Sequence, residues 1–147
     1  MSSEIVLNFK IAPNDFSRAG EASSIVKNKL KILGVNPEII RKVAVAMYEG
    51  EINMVIHSNG GEIQVIITPE KITMVLEDTG TGIADIEKAM EKGFSTATDQ
   101  IRSMGFGAGM GLPNMKSHSD EMNIETKLGQ GTKVTMIVYL NQGENNE

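Results

Sequence analysis

Seven of the chain's 15 glycines (Gly80, Gly82, Gly93, Gly105, Gly107, Gly109 and Gly111) crowd into one stretch that opens where an apolar strand ends. Glycine is placed where backbone must bend sharply or come close to something else. Residues 91–108 show little periodicity and carry Ser95, Thr96, Thr98 and Ser103. They read as a long mobile loop, and loops of that length are functional or disordered. Regular structure therefore has to be found on either side of it, within one domain's length of 147 residues.

Before the glycines the signals are clear. Ile5, Leu7 and Phe9 alternate with polar residues and predict a strand. Pro13-Asn14-Asp15 supplies a turn and a helix cap for an amphipathic helix over 19–33, ended by Gly34. Asn36-Pro37, a cap followed by proline at the first helical position, starts a second helix that runs to about residue 57 and stops at Asn59-Gly60-Gly61. Strands at 62–68 and 71–77 flank Pro69-Glu70 as a hairpin. A short helix is expected at 83–90. After the glycines come a helix at 111–119 and strands at 122–126 and 132–140 around Gly129-Gln130-Gly131. This order lacks the regular alternation of a parallel sheet. It predicts an α+β chain, a two-layer α/β sandwich with helices on one face of a mostly antiparallel sheet. Residues 1–140 are expected to form the domain and 141–147 a disordered tail, polar with nothing to bury.

Composition narrows the function. There is no Cys, hence no disulfide, thiolate zinc site or Cys nucleophile. A net charge of -5, a pI near 5.1 and no basic run argue against nucleic acid as a direct partner. No apolar stretch approaches the ~18 residues of a membrane span. The N-terminus has no apolar run of the signal-peptide kind, so a cytoplasmic location without membrane contact is the expectation. Two histidines make a multi-His metal site unexpected. Of the ten methionines, Met47, Met74 and Met136 are expected as core filler; others could serve adaptable surfaces.

Four constellations carry chemistry. The second helix is apolar nearly all round, as buried helices are. Yet Lys42, Glu49 and Asn53 fall in one narrow polar stripe, with Glu49 and Asn53 emerging together at i,i+4. The stripe is either a solvated edge or a carboxylate and an amide aimed into a pocket. In a pocket the amide oxygen could ligate Mg²⁺ and the carboxylate could take a proton. Glu51 points roughly opposite and is expected to be exposed; Gly50 is expected to mark close packing, because a helix-interior glycine costs about 1 kcal/mol relative to alanine. Next, Asp78-Thr79-Gly80-Thr81-Gly82-Ile83 closes a strand. Either Asp78 caps a tight turn, or it accepts from the exocyclic amine of a planar ligand approached closely by backbone. Third, Gly105-Phe106-Gly107-Ala108-Gly109-Met110-Gly111-Leu112 is a hinge or a run of backbone N–H groups facing an anion. It has no Lys-Ser/Thr of the phosphate loop and no strand leading directly into it. Last, Gly129-Gln130-Gly131-Thr132 alone is an ordinary β-turn.

In this order the four motifs resemble the Bergerat-fold ATPases, the superfamily of gyrase, the Hsp90 chaperones, histidine kinases and the MutL proteins. The resemblance spans residues 5 to 140. The helix motif Glu49…Asn53…His57 is similar to that of bacterial anti-sigma-factor serine/threonine kinases, and Met90-Glu91-Lys92-Gly93-Phe94-Ser95-Thr96 to the switch kinase of the stressosome pathway. The glycine-rich Gly107-Ala108-Gly109-Met110-Gly111-Leu112 looks closer to the histidine-kinase form. The resemblance implies ATP and Mg²⁺ as ligands, with Asn53 on the metal and Glu49 as general base. Asp78 would accept from the adenine amine, supported by Thr132. Gly80, Gly82 and Ile83 would pass beneath the nucleotide. Gly105, Gly107, Gly109, Met110, Gly111 and Leu112 would wrap the phosphates, residues 92–108 would be a lid, and Arg102 would reach the terminal phosphate. His57 is expected as a packed, hydrogen-bonded side chain. The implied activity is phosphoryl transfer to Ser or Thr of a small anti-anti-sigma type partner, with a sigma factor as a further partner and a homodimer as the assembly. The rival readings are a nucleotide-dependent regulatory binding module with little kinase activity, the catalytic half of a split histidine kinase, and a small α+β domain that binds no nucleotide.

Overall fold

Alternation of apolar and polar residues builds the first element. In the computed structural model, which describes residues 4–13, 15–57, 60–80 and 111–140, strand β1 is Ile5–Ile11. Its Ile5, Leu7, Phe9 and Ile11 lie against the core while the residues between them are exposed. A 3-10 turn, Phe16–Arg18, leads into helix α1, Glu21–Ile32. The cap differs from the one expected at Asn14-Asp15. Asp15 directly precedes the 3-10 turn, where its carboxylate accepts from the Ser17 hydroxyl. The N-cap of α1 is Gly20, which has no side chain to give. Ala22, Val26 and Leu30, spaced by one helical turn, are the buried face of α1.

Helix α2 is Pro37–His57. Its start is the one predicted: Asn36 Oδ1 accepts the Glu38 amide at 2.8 Å, and Pro37 has no N–H to leave unpaired. The hairpin follows as strands β2, Gly61–Ile67, and β3, Lys71–Asp78. Its turn is closed by the Thr68 amide on the Lys71 carbonyl at 2.9 Å. After a short helix α3, Gly111–Ser117, strands β4, Glu121–Lys127, and β5, Gly131–Tyr139, form a second hairpin.

The five strands make one sheet in the order β1-β2-β3-β5-β4, and every pairing is antiparallel. Directly opposed residues share a face. The register Leu7–Val65–Met74–Met136–Met122 therefore draws one apolar row across the whole sheet. Residues from α1, α2 and α3 join the sheet's inward residues in a single hydrophobic cluster. The α+β two-layer architecture is thus as predicted. Helix α2 is apolar nearly all round because α1 packs on one side of it, α3 on another, and the sheet beneath. Met47, Met74 and Met136 are fully buried, as expected of core filler. The expected helix at 83–90, the loop at 91–108 and the tail at 141–147 lie outside the described residues. No helix among the described residues is long and apolar enough to cross a membrane.

Candidate functional site

Glu49 and Asn53 sit on the flank of α2 that meets α3, and small residues set how closely the helices approach. A Cβ on Gly111 would lie 3.3 Å from Asn53 Oδ1. One turn further along α3, Asn114 Nδ2 donates to Glu49 Oε2 at 3.2 Å. At Gly50 a Cβ would lie 2.3 Å from Leu76 Cδ2 and 3.3 Å from Met115 Cε, which is the close packing expected there. The third member of the polar stripe, Lys42, is closed in a half-buried ion pair with Asp120 at 2.8 Å. Asp120 in turn accepts the Tyr139 amide at 2.8 Å. The stripe is therefore not one solvated edge: its far end is tied to the sheet, and Glu49 and Asn53 face α3.

That flank suits a hard cation bound through phosphate. Among the described residues no three of His, Cys, Asp and Glu converge into an all-protein cage. An amide oxygen at Asn53, with a glycine beside it where a side chain would crowd, is the sparse oxygen ligation that Mg²⁺ accepts when substrate phosphates and water fill its shell.

Asp78 ends β3, and backbone holds it from two strands. The Thr132 amide of β5 donates to Asp78 Oδ1 at 3.0 Å, and the Thr79 amide donates to the Gly60 carbonyl at 3.1 Å. On the β2 side a Cβ at Gly61 would meet the Glu77 carbonyl at 2.2 Å and Asp78 Cα at 2.7 Å. On the β5 side a Cβ at Gly131 would meet the Asp78 carbonyl at 2.1 Å. Gly131 also has φ +128, a conformation that L side chains rarely adopt. The two glycines clasp the Asp78 backbone from both sides, and the Thr132 amide holds its carboxylate through Oδ1. The Thr132 hydroxyl shares a hydrogen bond with the Thr126 hydroxyl at 3.0 Å, so Thr132 reaches Asp78 through its backbone N–H. Burial pushes the Asp78 carboxyl above its ordinary value, and the Thr132 N–H pulls it partly back. Asp78 and Thr79 also line a cavity of about 950 Å³ that extends to the end of β1 and the start of α1.

Glu51 is a correction. It is 2% exposed, not solvated. Its Oε2 accepts the Gly20 and Ala22 amides at 3.0 and 3.2 Å, and its Oε1 accepts the Ser23 amide at 3.1 Å. A carboxylate from α2 thus caps α1, whose own cap residue is glycine. The side of α2 away from Glu49 is not solvent, because α1 lies there.

Of the other predicted contacts, Gly80 follows Asp78 in the chain, and Leu112 is buried in the core, leaving only its backbone for a ligand. Gly82, Ile83, Arg102, Gly105, Gly107, Gly109 and Met110 lie outside the described residues, as does the side chain of His57. Sequence reasoning missed Asn114, Gly61 and the tertiary role of Gly131. Gly61 has a signal, since it begins a strand where a turn alone would not require glycine.

A family model described as Histidine kinase-, DNA gyrase B-, and HSP90-like ATPase matches residues 38–142, from the start of α2 to just past β5. The chain belongs to this ATPase family. Within it, the anti-sigma F factor of Thermoanaerobacter sp. (strain X514) is 37% identical over 108 residues, covering 70% of this chain and 72% of that protein. Serine/threonine-protein kinase RsbT of Bacillus subtilis (strain 168) is 30% identical over 123 residues, covering 81% of this chain and 86% of that protein. Among solved structures, the RsbU and RsbW domains of a Mycobacterium tuberculosis protein match with a TM-score of 0.59 at 16% identity, over 91% of this chain and 32% of that one. At that identity the likeness is one of fold. Glu49, Asn53 and Asp78 all lie within the matched span.

Proposed function

We propose that the chain is an ATP- and Mg²⁺-dependent serine/threonine protein kinase of the anti-sigma-factor type, with residues 1–140 as its ATPase domain. Its substrate is a small protein of the anti-anti-sigma type in a partner-switching pathway, and a sigma factor is a second partner. The observation that carries this reading is the Glu49–Asn53 pair, one turn apart beside Gly111, on a helix whose Lys42 and Glu51 are tied up in ion pairing and capping. The names of the relatives, an anti-sigma F factor and a serine/threonine-protein kinase, support it.

In this reading Asp78 accepts from the adenine amine and sets the depth of the nucleotide. Gly80, Gly82 and Ile83 pass beneath it, and Arg102 with the glycines from Gly105 to Gly111 contacts phosphate. Mg²⁺ on Asn53 Oδ1 would neutralise phosphate charge. A Ser or Thr hydroxyl oxygen of the partner attacks the γ-phosphorus as the bond to the bridging oxygen of ADP breaks, and Glu49 takes the hydroxyl proton. Such transfer relies on positioning and charge stabilisation more than on covalent chemistry by the protein.

The test is transfer of radiolabelled γ-phosphate to small partner proteins encoded beside this chain, with Glu49→Gln as the control. Wild type should label the partner on Ser or Thr, and the variant should bind ATP normally yet label about 100-fold more slowly, the range expected for loss of a general base. Equal rates would refute the assignment of Glu49. The relatives named anti-sigma F factor favour one second reading, in which ATP sets partner affinity and chemistry is slight. Nucleotide-dependent complex formation without label would establish that instead.

A further inference from the structure

We infer that Asn114 is a positioning residue for Glu49: its side-chain amide holds the carboxylate in the orientation needed to take a proton. This rests on the assignment of Glu49 as the base. The register of α3 on α2 supplies the geometry. Gly111 stands beside Asn53, and the next turn brings Asn114 Nδ2 to 3.2 Å from Glu49 Oε2. The same turn of α3 buries Leu112 and Met115 in the core, so packing anchors the helix and leaves the Asn114 side chain for this one contact. Met115 also lies against Gly50, the residue next to Glu49.

The chemistry of the donor matters. A carboxylate only accepts, so the amide must present its N–H to it. A neutral donor restrains the carboxylate without a counter-charge; Lys or Arg at this position would bind it as an ion pair. Only Oε2 is engaged. Among the described residues no donor reaches Oε1, which is left for an incoming hydroxyl. Orientation of this kind is worth much in catalysis, since misplacement of a reacting group by about 1 Å can cost about 100-fold in rate. A contact serving stability alone would change the amount of folded protein but not separate turnover from binding.

The experiment uses the full chain with Mg²⁺-ATP and water as acceptor, following release of inorganic phosphate, with ATP affinity measured by calorimetry. Asn114→Ala should lower kcat about 10-fold while ATP affinity stays within about twofold of wild type. Asn114→Asp keeps the size of the side chain and sets carboxylate against carboxylate, so it should lose more. On a Glu49→Gln background, Asn114→Ala should cost nothing further, because the group it positions is gone. A wild-type rate in Asn114→Ala beside an inactive Glu49→Gln would overturn the inference and leave the base assignment standing. Multiplying losses in the double variant would do the same. An active Glu49→Gln would overturn the base assignment itself. A measurement independent of turnover is the NMR resonance of the Asn114 side-chain amide, which should shift in Glu49→Gln; an unmoved resonance would refute the contact.

Discussion

Asp78 is held by the Thr132 amide and by the backbones of two neighbouring strands, and the same enclosure takes water from its carboxylate. That burial costs folding stability once the carboxyl is ionised. An acid whose value is raised in the folded state contributes stability that is full below its ordinary value of 3.8 and lost as pH rises through the raised value. Asp78→Asn should therefore match or exceed wild-type stability at neutral pH, since the amide oxygen can still accept from Thr132. Urea denaturation at a series of pH values should show wild type losing ground to the variant as pH rises above 3.8. The same variant should bind ATP about 10- to 100-fold more weakly in calorimetry, because its amide would set a donor against the adenine amine. Asp78 itself was legible from its place between an apolar strand and two glycines. Its restraint was not, because Gly61 and Gly131 approach it only through strand pairing.

At the scale of elements, the critical joint is between α1 and α2. Removing the Glu51 carboxylate would leave buried N–H groups at the start of α1 unpaired, so Glu51→Ala should cost about 3 kcal/mol in denaturant unfolding. Glu51→Gln keeps one acceptor oxygen and should cost less. Hydrogen exchange should rise first at Gly20, Ala22 and Ser23, the amides that lose their partner. Gly50 sets helix propensity against packing. Propensity alone makes Gly50→Ala stabilising by about 1 kcal/mol. The added methyl would meet Leu76 Cδ2 at 2.3 Å, and Leu76 is buried. Overpacking of that kind costs about 1–3 kcal/mol, so the variant should be destabilised in the same assay. The helices, the strands and the α2 cap could be read locally. The cap of α1 could not, because its donor and acceptor are on different elements.

For the whole molecule, the family's ATP-binding architecture makes stability a reporter of the site. A ligand present at about 100 times its Kd stabilises the fold by about 2.7 kcal/mol, which in a domain of this size is about 5–10 °C in Tm. Mg²⁺-ATP should raise Tm by that amount in a thermal melt, chelation of the metal should remove most of the shift, and Asp78→Asn should cut it to about half or less at the same ATP concentration. A melt unchanged by Mg²⁺-ATP would exclude tight nucleotide binding.

Among the described residues, the sequence by itself determined which segments became strands and helices, where most of them stop, the two-layer α+β class, and the order of Glu49, Asn53, Asp78 and Thr132 on which the family resemblance rests. These are set by periodicity, turn residues and motif spacing, all of which act within a few residues. Only the tertiary structure decided that Glu51 is buried and caps α1, that Gly61 and Gly131 clasp Asp78, and that Asn114 meets Glu49. Those contacts join residues far apart in the chain, 65 positions for Asn114 and Glu49 and 54 for Thr132 and Asp78. Whether a side chain meets solvent or a partner depends on what packs against its helix, and no local window contains that.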